Sequence, residues 1–305
     1  MNEKIYSKTV DEIIKNLEER EEVINALNDR VFKSLFLDES LRGILSYIIS
    51  YVTEIDKDYI YENMYVTDSY ESVHNIKERE NTHDLKVEVG SNVITLEMNQ
   101  FNDRETRFRN SAHFHESIIK KLERAKKKED IGRVIQISFD GKVGYSSDLI
   151  SSIMMMDLKR HIIDTSEENF IKYKINLSKL RKIDYNVSNL SRFERILLIM
   201  MENKKRKLKS LAKGDKELET MVKKIEDMSK DPNMVRYIKD ENLRRIAYEM
   251  DMEESNKKGH ETGYSEGHEQ AKIEVVKNLY LENVDINTIS KVTGLSVKEI
   301  EEIVK

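Results

Sequence analysis

HDLKVEVGSNVITLEMNQ, residues 83–100, is the stretch from which the rest of the chain can be read. Leu85, Val87 and Val89 alternate with Asp84, Lys86 and Glu88. After Gly90-Ser91, Ile94, Leu96 and Met98 alternate with Val93, Thr95, Glu97 and Asn99. On a strand, side chains two apart share a face, so each arm has one apolar and one polar side, as in a β-hairpin. A two-residue loop with glycine first fixes the register by pairing Val89 with Asn92. Positions facing one another then carry numbers that add to 181, which sets Asp84 opposite Glu97.

Residues directly opposed in an antiparallel pair have β-carbons about 4.5–5.5 Å apart, close enough for two carboxylates to repel unless a cation or a proton lies between them. A hard divalent ion suits such a pair, with magnesium taking oxygen ligands at about 2.0–2.1 Å. The competing expectation is that both acids fan into water on a one-sided sheet. Met98 keeps its side chain on the apolar face while its backbone carbonyl can serve as a further oxygen ligand. Asn99 shares the face of Glu97, where an amide can orient a water but carries no charge. Lys86 lies on the face of Asp84, and it is either a catalytic lysine or the exposed partner of Glu88.

Around the hairpin the pattern is mixed α/β. Residues 3–28 show helical apolar spacing, and Asp38-Glu39-Ser40 caps a helix carrying Leu41, Ile44, Leu45, Ile48 and Ile49. A helical stretch follows the hairpin, then strands at 133–140 and 169–177. From Asn189 onward the pattern is helical, broken at Gly214-Asp215 and at Asp231-Pro232-Asn233. Gly259, Gly263 and Gly267 mark a connector among polar residues. Beyond it, Asp285, Gly294 and Ser296 delimit a short helix-turn-helix.

With 305 residues, 38% hydrophobic content and one proline, the chain can bury a substantial core and should be rich in helix. It has no cysteine, which excludes disulfides and thiolate metal sites and leaves oxygen or imidazole ligands. No apolar run reaches the roughly 18 residues of a membrane span, and the charged N-terminus does not read as a signal peptide, so a soluble cytoplasmic protein is expected. The net charge of -5 is unevenly spread. Residues 172–213 hold thirteen Lys/Arg against three Asp/Glu, whereas residues 239–305 hold ten against fifteen. The basic middle permits contact with phosphates, and a solvated helical face explains it equally well.

An Asp at the end of one hairpin arm and Glu-x-Asn on the next resemble the PD-(D/E)XK nuclease superfamily. NDRVFKSLF near residue 28, DLKVEVGSNVITLEMN at 84–99, and the tail from GHETGYSEGHEQ through DINTISKVTGLSVKEIEEI together resemble the Rpn family of recombination-promoting nucleases, also described as nuclease-family transposases. The resemblance implies a restriction-endonuclease-like mixed sheet flanked by helices over residues 1–188, a helical region over 189–258 and a Gly-linked tail over 259–305. It also implies a divalent-metal-dependent DNA endonuclease using Mg2+, or another divalent cation such as Mn2+ or Ca2+. Asp84 and Glu97 would be metal ligands, Asn99 would hold the third motif position, and Asp29 would match an accessory acid on the first helix, with an N-cap role as the rival. Arg104, Arg107 and Arg109 are candidates for DNA phosphates, while His113 and His115 are expected on the polar helix surface. Asn99 departs from the lysine or glutamine of the family. The alternative is therefore a catalytically weakened nuclease fold that binds DNA or a protein partner in a regulatory role. The acidic last helix suits packing or homodimerisation better than a DNA groove.

Overall fold

A computed structural model of the chain describes residues 10–67, 85–100, 104–127, 130–141, 148–164, 166–181 and 186–304. It divides into two compact units, residues 1–239 and 240–305. In the first unit, helices α1 (Val10–Glu19), α2 (Asp29–Phe36), α3 (Arg42–Thr53) and α4 (Lys57–Asn63) precede β1 (Met64–Thr67), β2 (Leu85–Val89) and β3 (Asn92–Asn99). Helix α5 (Arg104–Arg124) leads to β4 (Val134–Asp140). Next come β5 (Ile150–Ile153), β6 (Met156–Asp157), β7 (Ile162–Ile163) and β8 (Phe170–Asn176). A short α6 (Ser178–Arg181) precedes α7 (Arg192–Met201), α8 (Lys205–Ala212) and α9 (Lys216–Met228).

Six strands form one mixed sheet in the order β1-β2-β3-β4-β8-β5. β3, β4 and β8 run parallel; β1, β2 and β5 pair antiparallel with their neighbours. The hairpin register is the one that glycine and alternation predict, from Val89 opposite Asn92 to Leu85 opposite Leu96. Gly90 takes φ +58, a left-handed backbone that favours glycine.

One face of the sheet meets the main core. Ile94, Leu96, Met98, Ile135, Ile137 and Phe139 pack there with residues from α2, α3, α7, α8 and α9. Phe32 of α2 touches both Phe36 and Phe139, with ring centroids 5.0 and 5.4 Å apart. Each such fully buried side chain contributes about 1.5–3 kcal/mol of hydrophobic free energy. Helices α7, α8 and α9 thus share one core with the sheet.

The N-terminal helix is shorter than its apolar spacing suggests. It ends at Glu19, Glu21 adopts φ 51, and Val23 and Ala26 donate their amides to the carbonyls of Asn203 and Met200. Val23, Ala26 and Leu27 reach the core as an irregular segment because the backbone finds partners outside a helix. The stretch read as one helix from Leu190 to Leu211 is two, α7 and α8, each with its own buried stripe.

The second unit contains the end of α10 (Pro232–Leu281), then α11 (Ile286–Thr293) and α12 (Val297–Ile303). Its core is small, built on Val276, Ile289 and Ile300. Asp285 accepts the Thr288 amide, Ser296 and Glu299 form a capping box, and Gly294 closes α11 at φ 75. Gly259, Gly263 and Gly267 lie inside α10, and a β-carbon on any of them would meet nothing within 4 Å. Among the described residues, no helix is long and apolar enough to cross a membrane.

Candidate functional site

The second face of the sheet, covered by α5, changes character along the strands. Strand register sorts its residues into rows. Val93, Val134 and Phe170 form an apolar row, of which Val134 and Phe170 pack against Phe114 of α5. One pair further along stand Thr95, Gln136 and Lys172, then Glu97, Ser138 and Lys174, and last Asn99, Asp140 and Asn176. The polar rows lie at the carboxyl ends of the parallel strands, the end of an open α/β sheet where ligands ordinarily bind.

Thr95, Glu97, Asn99, Gln136, Ser138, Asp140 and Asn176 are buried, and Lys172 and Lys174 are half-buried. Glu97 is 2% exposed, and its Oε1 lies 3.3 Å from Nδ1 of His113. Asn99 donates its Nδ2 to Asp140 Oδ1 at 2.9 Å, with both residues buried. The amide oxygen of Asn99 has no hydrogen-bond partner among the described residues. A buried polar atom without a partner costs about 1–3 kcal/mol. Gly141 lets the chain turn here: its amide donates to the Asn99 carbonyl at 2.7 Å, and a β-carbon would come within 2.8 Å of the Gln100 carbonyl.

Cations enter from β8. Lys172 donates to Ser111 Oγ at 3.2 Å, with its ammonium 4.6 Å from the centre of the Phe114 ring. Burial, together with the neighbouring charge of Lys174, lowers the Lys172 pKa below its ordinary value. Gln136 fixes the helix above by donating its Nε2 to the Asn110 carbonyl at 2.8 Å.

Of the residues singled out in the sequence, Glu97 and Asn99 therefore share one buried face of β3. Asp84 lies outside the described residues. Among the described residues the register ends at Leu85 opposite Leu96, one step short of the Asp84–Glu97 pair. Met98 points its side chain into the main core. Lys86 stands opposite Thr95, a row away from Glu97, and its ammonium is held by Glu88, whose carboxyl it keeps below the usual carboxylate range. Arg104, Arg107 and Arg109 are exposed on the first turns of α5. Asp29 opens α2 with Asn28 as the N-cap, so the capping role belongs to its neighbour. One Asp29 carboxylate oxygen is buried without a hydrogen-bond partner among the described residues.

His113 corrects the expectation of a surface histidine: it is 1% exposed and faces Glu97, whereas His115 is exposed and bonds the Ser111 carbonyl. Asp140, Lys172 and Lys174 are further site residues that sequence reading passed over. The donor atoms offered here are chiefly carboxylate and amide oxygens, which suit a hard cation. Among the described residues, no group of three His, Cys, Asp or Glu side chains could hold a metal ion. Among the described residues, a cation here would thus need the Asn99 amide oxygen or a backbone carbonyl to complete its shell.

Part of the basic middle segment is locally neutralised. Lys204 pairs with Glu22, and Lys207 lies 3.4 Å from Glu202. Lys209 lies 3.8 Å from Glu226, and Arg192 bonds both Asp215 and Glu217 at 2.7 and 2.5 Å. Comparison of the chain with protein-family models, with curated proteins and with solved structures found no match.

Proposed function

We propose that this chain is a divalent-metal-dependent DNA endonuclease that hydrolyses phosphodiester bonds at the carboxyl ends of β3, β4 and β8. The observation that carries the proposal is the buried set Glu97, Asn99 and Asp140 in adjacent registered positions, with an amide oxygen that has no hydrogen-bond partner among the described residues. Asp84 extends that set if the hairpin register continues by one pair. In this reading Asp84, Glu97 and the Met98 carbonyl hold Mg2+, or Mn2+ or Ca2+ in its place. The ion supplies charge neutralisation at the scissile phosphate and a lowered pKa for its water. His113 orients the Glu97 carboxylate, and Asn99 fixes Asp140 while its own amide oxygen orients a water. Lys174 and Lys172, with Arg104, Arg107 and Arg109, meet the flanking phosphates.

A second reading has its own support. The amide nitrogen of Asn99 is committed to Asp140, and the ammonium of Lys86 to Glu88, so neither supplies a charged donor beside Glu97. That favours a nuclease fold weakened in catalysis, which binds DNA or a protein partner in a regulatory role.

Incubation of the purified protein with supercoiled plasmid and Mg2+, Mn2+ or Ca2+, with and without chelator, separates the two. The endonuclease reading expects nicking or linearisation that needs metal and disappears in Asp84→Ala and Glu97→Ala. DNA binding with no cleavage in any metal establishes the regulatory reading, and cleavage that survives both substitutions removes the site from the mechanism.

A further inference from the structure

Between β5 and β8 the chain forms a separate two-stranded ribbon, β6 and β7, with Met156 opposite Ile163 and Asp157 opposite Ile162. Its turn is preorganised. Asp157 Oδ1 accepts the amides of Lys159 and Arg160 at 2.8 and 3.1 Å, and the Asp157 carbonyl accepts the His161 amide at 2.9 Å. Yet the ribbon exposes large apolar side chains on both faces: Met155 63%, Met156 43%, Leu158 80%, Ile162 58% and Ile163 47%. Neighbouring Ile153 of the edge strand β5 is 43% exposed. Single exposed apolar residues are ordinary, but a contiguous set marks an interaction surface. Each ribbon strand also has one edge without a β partner among the described residues, and open edges pair readily with another strand.

The charges around this apolar set are ordered. Lys159 and Arg160 stand exposed at the tip, Arg160 lying 3.9 Å from Asp157, whereas Asp164 and Glu168 stand exposed at the base and Glu167 is half-exposed there. Acids at the base repel the phosphates of nucleic acid and of anionic lipid alike. The arrangement is complementary to itself. When two ribbons meet antiparallel about a twofold axis, each basic tip lies against the other's acidic base, with the apolar residues between. The strand rise from Met155 to Leu158 spans on the order of 10 Å, so tip and base are separate enough to be matched at the same time.

We propose that the 156–163 ribbon is a self-association arm that docks on the same ribbon of a second copy of this chain, forming a twofold dimer. This places the dimer contact on the sheet unit and does not depend on the enzymatic reading. Sedimentation velocity of the full chain over a concentration series tests it. The wild type should dimerise reversibly. Met155→Ser combined with Ile162→Ser should raise the dissociation constant at least tenfold, with an unchanged circular dichroism spectrum because both side chains are exposed. Lys159→Glu should weaken the dimer and Glu168→Lys should do the same, while the two combined should restore association. A wild type that stays monomeric at tens of micromolar, a dimer indifferent to the serine variant, or a charge pair that fails to rescue overturns the proposal.

Discussion

Asn99→Asp replaces the amide that donates to Asp140 Oδ1 at 2.9 Å with a carboxylate, at a position only 3% exposed. Two like charges at that separation repel by on the order of 5 kcal/mol at an effective dielectric constant of 20. The lost charge-assisted hydrogen bond adds about 1.5–3 kcal/mol. Protonation of one acid relieves part of this, so the folded state raises the pKa of the pair above the unfolded value of its members. A raised folded pKa means that stability is intact below the unfolded pKa and is lost as pH rises through the folded one. The variant should therefore be close to wild type in urea unfolding near pH 4 and several kcal/mol less stable at pH 8. Ca2+ that enters between the two acids should return stability at pH 8, by about 2.7 kcal/mol at a free concentration one hundred times its dissociation constant. An Asn99→Asp variant as stable as wild type at pH 8, with no dependence on pH, refutes the Asn99–Asp140 contact. A destabilised variant that Ca2+ leaves unchanged refutes the cation pocket alone.

Replacing His113 with Leu leaves the buried Glu97 carboxylate without its imidazole partner and should cost about 1–3 kcal/mol in denaturant unfolding; coupling smaller than 0.5 kcal/mol in a double-mutant cycle with Glu97→Gln contradicts the pairing. Lys172 has a pKa lowered by burial, so wild-type stability rises as pH climbs from that lowered folded value toward 10.5, and Lys172→Met should flatten this rise in thermal unfolding between pH 7 and pH 10. Gly263→Ala meets no neighbour within 4 Å inside α10 and should stabilise that helix by about 1 kcal/mol; a loss of amide-exchange protection around residue 263 contradicts a continuous helix there.

The parts legible in the sequence are those in which one face is apolar and the other polar. The hairpin arms of β2 and β3 alternate cleanly about Gly90, so register follows by arithmetic, and β4 and β8 announce themselves by alternation or by a continuous apolar run. β1 is fused directly to α4, β5 has only four residues, and β6 and β7 have two each, too short for any periodicity to show. His113 was hidden for a different reason. The buried stripe of α5 is Asn110, His113, Phe114 and Ser117, which has the spacing of a helix face that packs on a sheet but is written mainly in polar residues. Hydrophobicity sees no face there. The spacing of those four residues about a single phenylalanine was the available signal, and for Asp140 the signal was its place at the end of a strand parallel to the one that carries Glu97.

The contrast between the two faces of the same three strands carries the functional argument further than any single residue does. On the main-core side, Ile94, Leu96, Met98, Ile135, Ile137 and Phe139 show that this sequence can fill a sheet face with well-packed apolar groups. On the α5 side the first row is filled the same way, and the rows beyond it are not. Burying a carboxylate costs several kcal/mol even after relaxation, and replacing buried charge with apolar side chains is often neutral or stabilising. Stability alone therefore favours aliphatic residues where Glu97, Asn99 and Asp140 stand. A chain that keeps them at the carboxyl ends of parallel strands, under a helix whose own buried stripe is polar, forgoes stability where ligands enter such folds, which is the expected signature of a working site.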